Sequence, residues 1–153
     1  MESSGVCNLN CSYCYIPKDV SIQGKINQSI IKAIENGDYL KYIEKLFGNK
    51  LESLSLWGTE PTLNIPVMIK YNFFDDLFRL EPNLNSISLS TNLISNYNRL
   101  YQFYEHINQL AIKYNKPNFK IDVQLSIDGH KPITDKNRGQ NMTEKILDTL
   151  YKL

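Results

Sequence analysis

Three short segments, each with spaced apolar residues, each closed by turn formers and each followed by a helical repeat, constrain this chain more than any other feature. "LESLSLW" at residues 51–57 sets Leu51, Leu54 and Leu56 among polar neighbours and stops at "GTEP". "SISLSTN" occupies residues 86–92, and "FKIDVQLSID" at 119–128 carries Ile121, Val123, Leu125 and Ile127 on one face. A period near two is the mark of a half-buried strand. Between these strands, residues 64–80 read as a helix, with Asn64 as the cap ahead of Pro66. Residues 96–114 read as another, since Leu100, Phe103, Ile107, Leu110 and Tyr114 recur at three and four residues. This aromatic stripe reads as core packing. An amphipathic stretch at 27–47, with Ile30, Ile31, Ile34, Ile43, Leu46 and Phe47, is divided by Gly37 into two helices, and "IPKDVSIQGK" before it reads as a loop. Turn chemistry at "DGHKP" ends the third strand, and a last helix is predicted over 143–153.

Strand and helix therefore alternate, which predicts an α/β chain with a parallel sheet and right-handed crossovers. In such sheets the working residues collect where strands run out at their carboxyl ends. "GTEP", "STN" and "SIDG" all fall there. With 153 residues, 42% of them hydrophobic, the chain suits a single domain over 1–153. Seventeen Lys and Arg stand against 16 Asp and Glu, a net charge of +1, with no basic stripe. Nucleic acid and acidic membrane surfaces are thus not expected partners. No apolar run is long enough to span a bilayer, and "MESSGV" lacks the regions of a signal peptide. A reducing cytoplasm is the expected compartment.

The chain's three cysteines all lie in "VCNLNCSYCY", as Cys7, Cys11 and Cys14. An odd, tight group of thiols is a poor disulfide framework and a good metal-binding one. Four thiolates would close the coordination of a structural zinc or of an ordinary iron–sulfur cluster, whereas three leave one position open. A tetrahedral zinc would have to recruit His106 or His130, neither of which stands in a Cys-and-His spacing.

Cys7-x3-Cys11-x2-Cys14 followed by Tyr15 resembles the signature of the radical S-adenosylmethionine enzymes. The resemblance implies that the three cysteines ligate three irons of a 4Fe-4S cluster, and that the fourth iron takes the amino nitrogen and carboxylate of S-adenosylmethionine. Tyr13 resembles the aromatic before the third family cysteine, whose backbone lies near the adenine; the ordinary alternative is that Tyr13 and Tyr15 shield the cluster. "WGTEP", with Gly58, Thr59, Glu60 and Pro61, resembles the family's Gly-Gly-Glu-Pro, which receives the cofactor ammonium. Thr59 replaces the second glycine and adds a side chain where backbone approaches the ligand. Ser90 and Asn92 of "STN" resemble positions that contact ribose and methionine, although Ser and Asn also cap turns anywhere.

"LSIDGHKPITDKNRG", residues 125–139, resembles the pattern of the subgroup that modifies peptides and proteins, including sulfatase-maturing enzymes. There Ser126 would face the ribose, Asp128 would belong to the cofactor site, and Arg138 would pair with the cofactor carboxylate. His130 stands where Pro is usual and Thr134 where His is usual. The implied fold is a partial (βα) barrel, truncated relative to the family's six units. Members usually carry a strand ahead of the first cysteine, and only six residues precede Cys7 here. The implied partners are a peptide or protein substrate, an electron donor such as flavodoxin or ferredoxin, and a C-terminal continuation or second copy covering the open sheet edge. The competing expectation is a truncated, non-catalytic metal-binding or partner-binding module.

Overall fold

The computed structural model describes residues 1–94 and 97–152. Four parallel strands lie in the order β1 (Glu2–Ser4), β2 (Ser53–Gly58), β3 (Ser86–Thr91) and β4 (Lys120–Leu125). Helices α1 (Val20–Glu35) and α2 (Asp38–Phe47) lead from β1 to β2. A 3-10 turn (Pro61–Asn64), α3 (Ile65–Lys70) and α4 (Phe73–Leu80) lead to β3, and α5 (Tyr97–Lys113) leads to β4. Helices α6 (Lys131–Arg138) and α7 (Met142–Lys152) follow. This is the parallel α/β arrangement that the alternation of elements predicts, and it is consistent with the partial (βα) barrel that the resemblance implies.

The register explains the strand pattern. Leu54 pairs with Ile87 and Leu56 with Leu89 across β2 and β3, and Ile87 and Leu89 pair onward with Ile121 and Val123. The apolar residues thus form rows on one face, closed by Met68, Phe73, Phe74, Phe78, Phe103 and Ile107, each at most 1% exposed. Phe74 meets Phe73 and Phe103 edge-on at 5.4 and 5.6 Å. Each such side chain contributes roughly 1.5–3 kcal/mol by burial. The opposite face is polar. Ser55, Ser88 and Asp122 form one row, and Ser90 and Gln124 another; the Ser88 hydroxyl meets that of Ser55 at 3.0 Å, and Ser90 Oγ donates to Gln124 Oε1 at 2.9 Å. Parallel sheets covered on both faces read as continuous apolar runs. The alternation seen here is what one-sided burial requires.

The structure departs from the sequence reading at four elements. The six residues before Cys7 do contain a strand: β1 pairs Glu2 with Trp57 and Ser4 with Gly58. "ESS" has no strand-forming side chain, and backbone pairing recruits it, with Trp57 N–H donating to Met1 O at 3.0 Å. Helix α1 begins at Val20 instead of residue 27, because the Asp19 carboxylate caps it, accepting from Ser21 and Ile22 N–H at 2.8 and 3.0 Å. The helix read over 64–80 is broken at Asn72, whose φ of 54° is a left-handed conformation that Asn tolerates. Asn64 makes no side-chain cap there. Finally, "KPITDKNR" forms α6, started by Pro132 in its first turn. The outermost residues of two predicted helices, Asn96 and Leu153, lie outside the described residues.

Candidate functional site

The loop from β1 to α1 carries Cys7, Cys11 and Cys14 as free, half-buried thiols, and it is held at the carboxyl ends of the strands. At its entry β2 passes close to Ser4. Gly58 has a φ of 137°, and a Cβ there would lie 2.6 Å from Ser4 O, so only glycine permits the approach. Thr59 then binds the loop. Its N–H donates to Ser4 O at 3.2 Å, and its hydroxyl lies within reach of the carbonyls of Ser4 and of Val6, the residue before Cys7. Asn27 Oδ1 receives Gly5 N–H at 3.1 Å and the Asn64 carboxamide at 2.8 Å, while Asn64 also reaches Ser3 O at 2.9 Å.

Glu60 is the hub between the ends of β2 and β3. It is 1% exposed. Its Oε1 accepts from Thr62 Oγ1 at 2.6 Å, Thr62 N–H at 3.3 Å and Thr91 Oγ1 at 2.8 Å, and its Oε2 accepts Asn92 N–H at 2.8 Å. Pro61, also buried, starts the 3-10 turn that brings Thr62 back to the carboxylate. The Asn92 carboxamide donates to Asn8 Oδ1 at 2.9 Å and approaches Cys7 Sγ at 3.7 Å. Cys7 Sγ also receives Leu9 N–H at 3.4 Å. Burial pushes the Cys7 thiol above its ordinary value, Leu9 N–H opposes this, the charges of Glu60 and Cys11 add to it, and the Asn92 amide opposes it.

At the loop's exit Ser12 N–H donates to Asn137 O at 2.8 Å. Asp128 Oδ1 accepts from Tyr13 OH at 3.0 Å and from Arg138 Nε and Nη2 at 3.0 and 2.6 Å. Burial and the hydrogen bond to Asp128 push the Tyr13 phenol up to about 12, with the Arg138 charge opposing. The hydrogen bonds from Arg138 and Tyr13 outweigh burial and hold the Asp128 carboxyl below the ordinary carboxylate range. Thr134 is fully buried and lies within hydrogen-bond distance of Asp128 N–H and Gly129 O. Asp135 joins α6 to α7 by accepting Thr143 N–H at 2.8 Å and Thr143 Oγ1 at 2.9 Å.

Two networks gather most of the residues singled out in the sequence, and the Cys11 and Cys14 thiols take part in neither. Cys7, Gly58, Thr59, Glu60, Pro61 and Asn92 meet at the ends of β2 and β3, and Tyr13, Asp128 and Arg138 meet at the end of β4. Ser90 lies on the open polar face, and Ser126 continues β4 by donating its N–H to Thr91 O at 2.9 Å. Asn8, Asn27 and Asn64 were not legible as site supports; only their polarity beside apolar neighbours marks them. His106 packs against Phe74 on α5, with ring centroids 6.0 Å apart, and His130 occupies the N-cap of α6. Among the described residues no three His, Cys, Asp or Glu side chains are gathered closely enough to hold a metal ion. In kind, however, three thiols without a fourth, one of them receiving peptide and carboxamide N–H donors, are the donors an iron–sulfur cluster with one open iron takes.

Beside the Gly58–Thr59 turn opens a cleft of about 300 Å³ lined largely by Tyr15, Ile16, Ile22, Ile26 and Trp57. No helix among the described residues is long and apolar enough to cross a membrane. No curated protein and no solved structure matches the chain. The family model described as the Radical SAM superfamily matches residues 1–153.

Proposed function

Because the chain belongs to the Radical SAM superfamily, we propose that it holds a 4Fe-4S cluster through Cys7, Cys11 and Cys14 and uses S-adenosylmethionine to abstract a hydrogen atom from a peptide or protein. When bound, the cluster and cofactor supply reductive cleavage of the sulfonium to a 5'-deoxyadenosyl radical. The chain's own residues position and exclude. Gly58 and Thr59 offer backbone at the end of β2, Ser90 and Ser126 offer hydroxyls at the ends of β3 and β4, and the Asn92 amide stabilises the Cys7 thiolate. Glu60 and Pro61 hold these ends in register. Tyr13, Asp128 and Arg138 wall the far side of the loop.

One observation carries the reading: a three-cysteine loop is fastened to the carboxyl ends of parallel strands in a chain with no fourth cysteine. The peptide substrate rests on the likeness of residues 125–139 to the peptide-modifying pattern. The same reading brings a flavodoxin or ferredoxin as electron donor, a cytoplasmic setting, and a continuation or second copy covering the outer edge of β4. The second reading, a non-catalytic metal-binding or partner-binding module, is favoured by the thiols not being gathered into a metal-holding set. Anaerobic reconstitution with iron and sulfide separates the two. Stoichiometric iron and sulfide with broad visible absorption is the expected result; tight uptake of one zinc and no iron overturns it.

A further inference from the structure

We propose that Tyr13, Asp128 and Arg138 form a latch that fixes the Cys11–Cys14 half of the cysteine loop against the β4–α6 turn, with Arg138 a positioning residue and not a ligand of the cofactor carboxylate. That this latch serves a cluster rests on the proposed function; the latch itself rests on geometry. One oxygen, Asp128 Oδ1, takes three donors: Arg138 Nε at 3.0 Å, Arg138 Nη2 at 2.6 Å and Tyr13 OH at 3.0 Å. The Arg138 and Asp128 side chains are only 8% and 14% exposed. The guanidinium carbon stands 5.7 Å from the Tyr13 ring centroid, so the same cation holds the ring by its face and the hydroxyl through the carboxylate.

A guanidinium clamps a carboxylate by presenting two parallel N–H groups along one edge of its fork. In Arg138 the two N–H groups of the Nε–Nη2 edge instead converge on a single oxygen, Oδ1 of Asp128, ten positions away in the chain, and Asp128 Oδ2 is left buried without a partner among the described residues. Tyr13, 115 positions from Asp128, sits between Cys11 and Cys14, and its neighbour Ser12 is tied by its own N–H to Asn137 O at 2.8 Å. Both ties therefore reach the same short stretch, Asp128 to Arg138, from the segment between the second and third cysteines. The entry half of the loop has its own anchors, Thr59 at Val6 and Asn92 at Cys7. The latch adds a side-chain tie to an exit half otherwise held by Ser12 N–H on Asn137 O and by Lys18 Nζ on Cys11 O.

The test compares Tyr13→Phe, Arg138→Ala and Arg138→Lys with the unmodified chain. The first readout is amide hydrogen exchange of residues 9–15 in the metal-free chain. The second is the electron paramagnetic resonance spectrum of the reduced, reconstituted protein with no S-adenosylmethionine added. Tyr13→Phe and Arg138→Ala should each speed exchange in residues 9–15 by about tenfold, the order lost with one charge-assisted hydrogen bond. Both should move the cofactor-free spectrum in the same direction, and Arg138→Lys should restore part of both effects. Tyr13 is half exposed, so its phenylalanine variant folds even if the Arg138 variants do not. If Tyr13→Phe leaves exchange unchanged, the latch is wrong. If Arg138→Ala leaves exchange and the cofactor-free spectrum unchanged but weakens S-adenosylmethionine binding, Arg138 is a ligand. If the unmodified chain takes up no cluster, the proposed function fails, and exchange alone still decides the latch.

Discussion

Glu60 Oε2 accepts the backbone N–H of Asn92 at 2.8 Å, and through this bond the end of β2 sets the position of the amide that reaches Cys7. The glutamate resembling a cofactor ligand in the sequence is, in the folded chain, a buried strut with four donors upon it. Through Thr91 and Asn92 it is tied to the end of β3.

Replacing Glu60 is therefore expected to register in the metal-free chain. Glu60→Gln keeps an oxygen for Asn92 N–H, and the Thr62 and Thr91 hydroxyls can turn to accept from the new amide, but Thr62 N–H loses its acceptor, so a cost of about 1–2 kcal/mol is expected. Glu60→Ala strands every donor and should cost about 3 kcal/mol or more. Urea unfolding measures both; equal midpoints for the three proteins would remove the strut.

Gly58 and Gly129 separate close approach from backbone conformation. Both have positive φ, 137° and 112°, but a Cβ at Gly58 meets Ser4 O at 2.6 Å whereas one at Gly129 meets nothing within 4 Å. Gly129→Ala should cost only the conformational strain, about 1–2 kcal/mol. Gly58→Ala must also push β1 away and is expected to cost at least twice that. Thermal midpoints that rank the two in the opposite order would contradict the packing of β1 on β2.

Thr59 occupies the position of a glycine in the motif it resembles, and its hydroxyl is turned to the Ser4 and Val6 carbonyls. Thr59→Ser should retain stability, and Thr59→Val, of the same shape, should lose about 1 kcal/mol. Hydrogen exchange at residues 5–8 locates the loss. A valine variant as protected as the parent would show that the hydroxyl holds nothing.

The strands and α5 were legible because one-sided burial imposes a period of two on β2, β3 and β4 and the helical repeat on Leu100, Phe103, Ile107 and Leu110. Strand β1 was not, because its serines pair through backbone and carry no pattern. The cysteine spacing located the loop, and "GTEP", "STN" and "SIDG" located the strand ends. What each side chain does there was not legible, since Glu60 is bonded to Thr91 and Asn92, 31 and 32 positions away, as well as to its neighbour Thr62, and Arg138 to Asp128, 10 positions away, and the distant partners are chosen by tertiary contact.

Acid should weaken the fold in two steps. Burial lowers the His106 imidazole below its ordinary value, with Asp75's charge opposing, so the unfolded chain binds that proton more readily. Stability is then full above about pH 6.5 and declines as the pH falls below it. The Lys113 ammonium holds the Asp75 carboxyl below its ordinary range, as Arg138 and Tyr13, outweighing burial, do the Asp128 carboxyl; both contributions are present above about pH 4 and are lost as the pH falls through the folded values, and that of Asp75 is small because its pair is partly exposed. His106→Phe should flatten chiefly the upper step. Urea midpoints for parent and variant that fall in parallel between about pH 7 and pH 5 would exclude His106 as its source.

The cysteines make the sharpest division between fold and cofactor. None of the three is in a disulfide, and of the three sulfurs Cys7 Sγ receives the hydrogen bonds described above, so Cys11→Ala and Cys14→Ala should leave the metal-free fold untouched and Cys7→Ala should cost at most about 1 kcal/mol. Toward a cluster the three are expected to be equivalent, because each supplies a thiolate that no other residue in the chain can replace. Each alanine variant should keep the far-ultraviolet circular dichroism of the parent and lose its iron and sulfide on reconstitution. A variant that unfolds would assign its cysteine to the core. One that reconstitutes with full iron and sulfide would show that its thiol is not a ligand, and the three-cysteine assignment would be wrong.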